Sequence, residues 1–315
     1  MIRDSVLIIG SGMMGSGIAC RSALAGHKTT LLGRDPSRVM ACIEEAKRCI
    51  SELEANNLAT PEAASEAREL IQPSLDLEAA CKDAQYVIEA IVEDLEIKQD
   101  LFQELDTLLP PEVILLSTTS GLRITDIAAN MQHPERALTA HFWFTAHLIP
   151  LVEIVVGERS NPALAEKVKA LLLTWDKAPV IVHRDIPGQL VGLVQQAMIR
   201  EAIHIVEMGL CSVEDIDTAI KMSFGIRLPV WGPLEHVDGV GLDLCQKVQE
   251  SVLPSVSSSV IPANSFEEKI SAGNLGAKTG KGFYDWSVKD MTALAERRNR
   301  FIIEVLQFHK QNRQP

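Results

Sequence analysis

The chain has 315 residues, enough for two domains at roughly 150 residues each. Its 46% hydrophobic and 23% charged composition is that of a folded globular protein, and it excludes a disordered, collagenous or coiled-coil array. With 30 Lys and Arg against 42 Asp and Glu, the net charge of -12 disfavours nucleic acid and anionic membrane as partners, though not a local basic pocket for one small anion.

Apolar stretches fall far short of the roughly 18 residues a membrane span requires. The opening MIRDSVLIIGSG leads from a short apolar run into a glycine turn, with no signal-peptide cleavage pattern. The cysteines at 20, 42, 49, 81, 211 and 245 form no C-x-x-C pair, which suits reduced thiols in the cytoplasm. Cys42 and Cys49 share a helix face and read as buried thiols, so no metal is expected.

In chain order, 5–9 reads as a strand, 13–25 as a helix and 28–32 as a second strand. Pro36 suits the first turn of a long helix to about 54, and Asn56 and Asn57 separate it from another at 61–71. Further strands are expected at 86–90, 113–117, 137–141 and 151–156, with a helix at 95–109. This alternation predicts an α/β domain, a Rossmann-type doubly wound sheet covered on both faces. Near Asp185 the pattern changes, and helices at about 188–208, 213–223, 233–250, 264–272 and 290–310 predict an all-α C-terminal domain. The expected division is 1–186 and 187–315.

Gly10-Ser11-Gly12-Met13-Met14-Gly15 stands directly after a strand and before a helix. Gly10 permits the tight turn, Gly12 lets backbone approach a diphosphate, and Gly15 lets helix and strand pack closely. The helix start supplies free N–H groups and partial positive charge. Met13 and Met14 inside the turn, and Ala90 at the end of a later strand, complete the expected cradle. After the second strand, where an acid usually binds the ribose 2′-OH of NAD, the chain has Gly33 followed by Arg34. Asp35 comes two residues late and suits a helix cap. Arg34 and Arg38 can bracket a 2′-phosphate or be solvated surface residues; the expected coenzyme is NAD(P), with NADP(H) favoured over NAD(H).

At this point the sequence resembles the L-3-hydroxyacyl-CoA dehydrogenase family. Besides Gly10–Gly15, the resemblance rests on five stretches in chain order: VIEAIVEDLEIK at 87–98, STTSGL at 117–122, His141-Phe142 with Leu151-Val152-Glu153, Asp185-Ile186-Pro187-Gly188, and KTGKGFY at 278–284. Residues 141–155 and Gly232-Pro233-Leu234-Glu235 look nearer to the free hydroxy-acid branch, such as L-gulonate, carnitine and pyridine-carboxylate dehydrogenases. The resemblance implies that His141 is the catalytic base, Glu153 the carboxylate that orients it, and Ser120 the hydroxyl that bonds substrate oxygen. Glu93 and Lys98 match residues near the nicotinamide ribose. It also implies a homodimer.

An imidazole titrating near neutrality suits removal of an alcohol proton as hydride departs. Two departures bear on substrate. Gly192 replaces the family's catalytic asparagine, leaving space for ligand, and the usual Asn-Pro after the histidine gives way to Phe144-Thr145. His147 is a candidate substrate contact, and Phe142, Trp143 and Phe144 with it either form an aromatic wall or belong to the core. Residues 41–72 carry Lys47, Arg48 and Arg68 against seven glutamates, a poor surface for the CoA nucleotide.

The expected function is therefore NAD(P)-dependent interconversion of a small 3-hydroxy acid, or related alcohol, with its carbonyl compound. An acyl-CoA dehydrogenase, a crystallin-like nucleotide-binding protein and an imine or aldehyde reductase remain alternatives.

Overall fold

The computed structural model describes residues 3–312. The chain divides into two compact units, Met1–Leu190 with Ile302–Pro315, and Val191–Phe301.

The first unit runs β1 (Arg3–Ile9), α1 (Met13–Leu24), β2 (His27–Leu32), α2 (Pro36–Ala55), α3 (Pro61–Leu70), β3 (Ile71–Ser74), α4 (Leu77–Cys81) and β4 (Tyr86–Glu89). It continues with α5 (Leu95–Leu108), β5 (Ile114–Ser117), α6 (Ile124–Ile127), β6 (Ala137–Phe142), β7 (Leu151–Val155), α7 (Pro162–Leu173) and β8 (Ala178–Val182). The eight strands form one sheet in the order β3-β2-β1-β4-β5-β6-β7-β8. Every neighbouring pair is parallel except β6 and β7. The chain order reverses between β1 and β4, the switch point at which open α/β sheets bind ligands.

Local chemistry explains the element starts. Asp35, Thr60, Asp94 and Asn161 each accept a backbone N–H at the head of α2, α3, α5 and α7, and proline follows directly in three of these. Alternate residues of β1 enter opposite faces of the sheet: Val6 and Ile8 join Ile18, Leu31 and Leu53, whereas Leu7 and Ile9 join Phe102 and Leu115. Such two-sided burial is the mark of a parallel sheet.

Two strands escaped the sequence reading, β3 and β8. Both are sheet edges, both are short and each contains a proline, Pro73 and Pro179. Proline removes a ladder donor and is tolerated at an edge, so the same feature that places these segments outermost weakens their strand signal.

The second unit contains α8 (Val191–Glu207), α9 (Val213–Met222), α10 (Phe224–Arg227), α11 (Pro233–Val240), α12 (Leu242–Val252), α13 (Asn264–Ser271) and most of α14 (Met291–Gln311). The single helix expected over 233–250 is two, because Gly241 at φ +110° ends α11 and opens α12. The expected domain 187–315 also needs correction at its end. Ile303 is buried in the core of the first unit, and Gln307 and Lys310 donate to the carbonyls of Asn56 and Asn57 at 2.8 and 3.1 Å.

Among the described residues, no helix is long and apolar enough to cross a membrane, and no group of three or more His, Cys, Asp or Glu side chains is placed to hold a metal ion. All six cysteines are unpaired, and burial pushes the Cys20 thiol up to about 12 and that of Cys42 to about 11.

Candidate active site

The glycine turn sits at the sheet's switch point. Gly10 has φ +128°, and a Cβ there would lie 2.3 Å from the Ala90 carbonyl oxygen at the end of β4. A Cβ on Gly15 would lie 2.2 Å from the Gly10 oxygen, so the helix can approach the turn only as glycine. Above Gly12 nothing lies within 4 Å, and no side chain caps the start of α1. Open backbone beside an uncapped helix start fits the diphosphate of a dinucleotide. Met13 projects to solvent, while Met14 packs on the core.

At the end of β2 a Cβ on Gly33 would lie 2.7 Å from the Val39 side chain and 3.0 Å from Ser11 Oγ. This packing accounts for glycine where an acid is common. Asp35 caps α2 through Ser37 and Arg38, and these hydrogen bonds, that of the Ser37 hydroxyl foremost, hold its carboxyl below the usual range. Arg34 and Arg38 are exposed, and among the described residues neither forms an ion pair.

From β4 a polar chain runs to the loop after β5. Glu89, fully buried, accepts from Lys98 Nζ at 2.5 Å, Ser117 Oγ at 2.6 Å and Ile91 N at 2.8 Å. Lys98 also reaches Glu93 Oε2 at 3.4 Å. Glu93 Oε1 in turn accepts from Thr119 Oγ1, Ser120 N and Gly121 N at 2.6, 3.1 and 3.0 Å. Burial works to raise the Glu93 pKa, but the hydrogen bonds from Thr119 and Gly121 and the charge of Lys98 outweigh it, and the net shift is downward. Lys98 is 1% exposed, and its ammonium neutralises Glu89 inside the fold, where an unpaired buried carboxylate would be costly.

Ser120, so held, places Oγ 3.1 Å from His141 Nε2. His141 and Glu153 are register partners on antiparallel β6 and β7, which brings Nδ1 to 2.6 Å from Glu153 Oε2. Glu153 is fully buried; Trp143 Nε1 donates to the same oxygen at 3.0 Å, and Leu190 N donates to Oε1 at 2.9 Å. With Nδ1–H bound to the carboxylate, Nε2 is left as the acceptor and the Ser120 hydroxyl donates to it. Ser120 is exposed and His141 nearly buried, so the base meets solvent at the serine end.

The segment after β6 is pinned from below. Lys177 Nζ donates to the carbonyls of Ala146 and Ile149, and Arg21 Nε donates to that of His147 at 2.6 Å. Burial drives the Lys177 pKa well below its ordinary value, with the nearby Arg21 charge adding to it. His147, expected at substrate, is buried with Nε2 2.8 Å from Glu52 of α2. The aromatic wall also divides: Phe142 is core and packs near Trp175, Phe144 is exposed, and Trp143 touches the His–Glu pair. Gly192 lies in α8, and a methyl added to it would meet nothing within 4 Å. The sequence reading missed Glu89, Arg21, Lys177 and the Leu190 N–H, and it named Trp143 for an aromatic wall and not as a donor to Glu153. Of the missed residues only Glu89, within the 87–98 stretch, stood in a motif that could have flagged it.

A dinucleotide turn at the switch point of this sheet, with a histidine–carboxylate pair on neighbouring strands, is the layout of a nicotinamide-dependent oxidoreductase. Residues 5–186 match the 3-hydroxyacyl-CoA dehydrogenase NAD binding domain, and 190–286 match the C-terminal domain of the same family. The chain belongs to the 3-hydroxyacyl-CoA dehydrogenase family and is an NAD-dependent oxidoreductase of it. It is 32% identical over 309 residues to the 5-formyl-3-hydroxy-2-methylpyridine 4-carboxylate 5-dehydrogenase of Mesorhizobium japonicum, covering 97% of each chain. It is 34% identical over 280 residues to the 3-hydroxybutyryl-CoA dehydrogenase of Bradyrhizobium diazoefficiens, covering 89% of this chain and 94% of that one. A solved structure of a 5-formyl-3-hydroxy-2-methylpyridine 4-carboxylic acid 5-dehydrogenase, described as an NAD+ dependent dismutase, superposes with a TM-score of 0.90 at 30% identity, covering 98% of this chain and 99% of that one. An (S)-3-hydroxybutyryl-CoA dehydrogenase from Ralstonia eutropha gives 0.75 at 30% identity, covering 91% and 99%.

Proposed function

We propose that the protein interconverts a small free hydroxy acid, or a ring-bearing alcohol, with its carbonyl compound, and that His141, Glu153 and Ser120 carry the chemistry. The observation behind this reading is the continuous hydrogen-bonded line from Ser120 through His141 to Glu153. The substrate hydroxyl binds between Ser120 and Nε2. His141 takes its proton at Nε2, and the carbinol carbon gives up hydride with both electrons. Bound coenzyme supplies the hydride acceptor in this direction and the donor in the other. Glu153 fixes the tautomer and stabilises the imidazolium, held by Trp143 and the Leu190 N–H. Gly10, Gly12, Met13, Met14, Gly15 and Ala90 form the cradle for the coenzyme, and Glu93 anchors the Ser120 loop beside it.

Two observations favour a free acid over an acyl-CoA. The superposition is tighter on the pyridine-carboxylate enzyme than on the acyl-CoA enzyme named above. In addition, the cations Lys47, Arg48 and Arg68 on α2 and α3 are already paired with Glu44, Glu45 and Glu54. Acetoacetyl-CoA, acetoacetate and the pyridine aldehyde acid should be compared with both coenzymes, following nicotinamide absorbance. The free acids are expected to give the higher kcat/KM, and a preference for acetoacetyl-CoA overturns the reading.

The finer coenzyme reading is NADP(H) over NAD(H). Its support is local, the two unpaired guanidiniums of Arg34 and Arg38 beside Gly33, whereas the coenzyme named for the relatives is NAD. The reading further includes a cytoplasmic homodimer. Free thiols suit a reducing compartment. Leu244, Val248 and Val252 recur every fourth residue along α12, each about half exposed, an apolar stripe that a second copy would cover. Light scattering of Leu244→Lys/Val248→Lys should show loss of the dimer; an unchanged mass removes this stripe from the interface.

A further inference from the structure

Glu153 is fully buried, and burial alone would drive a proton onto its carboxylate, because desolvation disfavours charge. Two donors that take no part in hydride transfer oppose this. Leu190 N bonds Oε1 at 2.9 Å, and the indole Nε1 of Trp143 bonds Oε2 at 3.0 Å. Oε2 is also the oxygen that holds His141 Nδ1, at 2.6 Å. The two rings are neighbours as well, with centroids 5.4 Å apart. Trp143 stands one residue beyond the end of β6, and Lys177 and Arg21 fix the turn after it through the carbonyls of Ala146, His147 and Ile149. The indole therefore draws on the same oxygen that stabilises an imidazolium at His141.

We propose that Trp143 is a positioning residue that weakens the base. Its indole N–H takes up part of the charge on Oε2, so less is left to hold a proton on His141, and the His–Glu pair gives that proton up at lower pH. The proposal rests on the assignment of His141 as base above and adds a direction to it. Alcohol oxidation, which needs Nε2 free of its proton, extends to lower pH; carbonyl reduction, which needs the proton present, is confined to lower pH. The surroundings of His141 supply no rival to this effect. In the sheet, β5 brings no titratable side chain to β6, and β7 brings Glu153 alone. The loop after β5 brings the Ser120 hydroxyl, with Glu93 bonded to its backbone. On α6 and its cap, Asp126 pairs with Arg123, which also pairs with Glu158 and Asp185, and among the described residues none of these bonds to His141. Lys177 meets the ring of Phe142, whose side chain enters the opposite face of the sheet.

The test is an NMR titration of the full-length protein with isotope-labelled histidine and tryptophan, the His141 signal being assigned by its loss in His141→Gln. Trp143→Phe keeps a ring beside His141 and loses the donor. Its His141 midpoint should lie about one pH unit above that of wild type, the effect of one hydrogen bond to a charged group. In the wild type, the indole proton nearest the His141 ring should move downfield as pH rises through the same midpoint, because a neutral imidazole leaves more of the oxygen's charge to the indole. This second reading needs no variant and stands even if Trp143→Phe does not fold. Oxidation of 3-hydroxybutyrate and reduction of acetoacetate should part in Trp143→Phe. Below the wild-type midpoint oxidation slows about tenfold at a given pH, and above the variant's midpoint reduction quickens about tenfold. If acetoacetate is not turned over, the titrations decide alone. An unmoved or lowered midpoint in Trp143→Phe overturns the proposal, as does an indole proton indifferent to pH. Equal slowing of both directions with unshifted pH profiles also overturns it, by showing that the indole only packs. Failure of the dehydrogenase reading looks different: both titrations behave as described, but His141→Gln exchanges hydride as fast as wild type.

Discussion

In the first unit, apolar side chains close two cores against a sheet, and Val6, Ile8, Phe102, Leu105 and Leu115 are all but inaccessible. In the second, residues of the same kind stay at the surface: among the described residues, Ile203 is its one buried apolar side chain, while Leu210, Met222, Val230, Leu234 and Leu242 are each more than 60% exposed. The first unit has the interior of a self-sufficient domain. The second has helices whose apolar faces stay exposed, with little buried between them.

Variants that separate the units put this contrast to the test. The largest effect belongs to the His–Glu pair: His141→Ala or Glu153→Gln should lower kcat by about two to four powers of ten, with coenzyme affinity nearly intact. A fully active His141→Ala protein would move the chemistry out of the first unit. Next comes packing. Phe102→Ala should destabilise the first unit by about 3–5 kcal/mol in denaturant melts. The same truncation at Leu234 should fall within about 0.5 kcal/mol in dilute protein and show itself in subunit affinity instead. Comparable losses at the two positions would erase the distinction.

Smaller effects sharpen the picture of the first unit. Arg34→Ala should weaken NADP(H) about tenfold while sparing NAD(H), since a guanidinium pairs with a 2′-phosphate but has no anion to meet on a ribose hydroxyl. Titration of binding with each coenzyme decides it, and equal losses would remove Arg34 from discrimination. The least effect concerns acid. The folded-state pKa of Glu93 lies below its unfolded value, so its contribution to stability is present above the unfolded pKa and is lost as pH falls through the folded one. Protection of the Ser120 and Gly121 amides, taken relative to the intrinsic exchange rate at each pH, should therefore fall as pH drops below the ordinary glutamate pKa of about 4.3. Glu93→Gln should flatten that dependence; pH-independent protection in the unmodified protein would show that the loop is held by other means.

Much of this architecture was legible because it follows from period and punctuation. The glycine turn, the capped helices and the central strands announce themselves in runs of a few residues. His141 and Glu153 were readable as a pair through the motifs around them, and their register across β6 and β7 supplies the physical reason. Partners drawn from backbone or from distant chain left no trace. The N–H of Leu190 carries no residue signature, and the Lys177 ammonium meets carbonyls about 30 residues away. The burial of Lys98 left no trace for a related reason, since its partner Glu89 stands nine residues earlier on a strand.

The return of the last turns of α14 to the first unit has a consequence for synthesis. The core containing Val6 and Ile18 also contains Ile303, with Ile302 and Leu306 packed against it. A nascent chain can pair the strands of its sheet as they emerge, yet it cannot finish this core until almost the whole polypeptide has left the ribosome. The unit that begins first is completed last, with the 111 residues Val191–Phe301 made in between. A stop codon just before Ile302 would thus not trim a tail. It would leave the coenzyme-binding unit with an open seam.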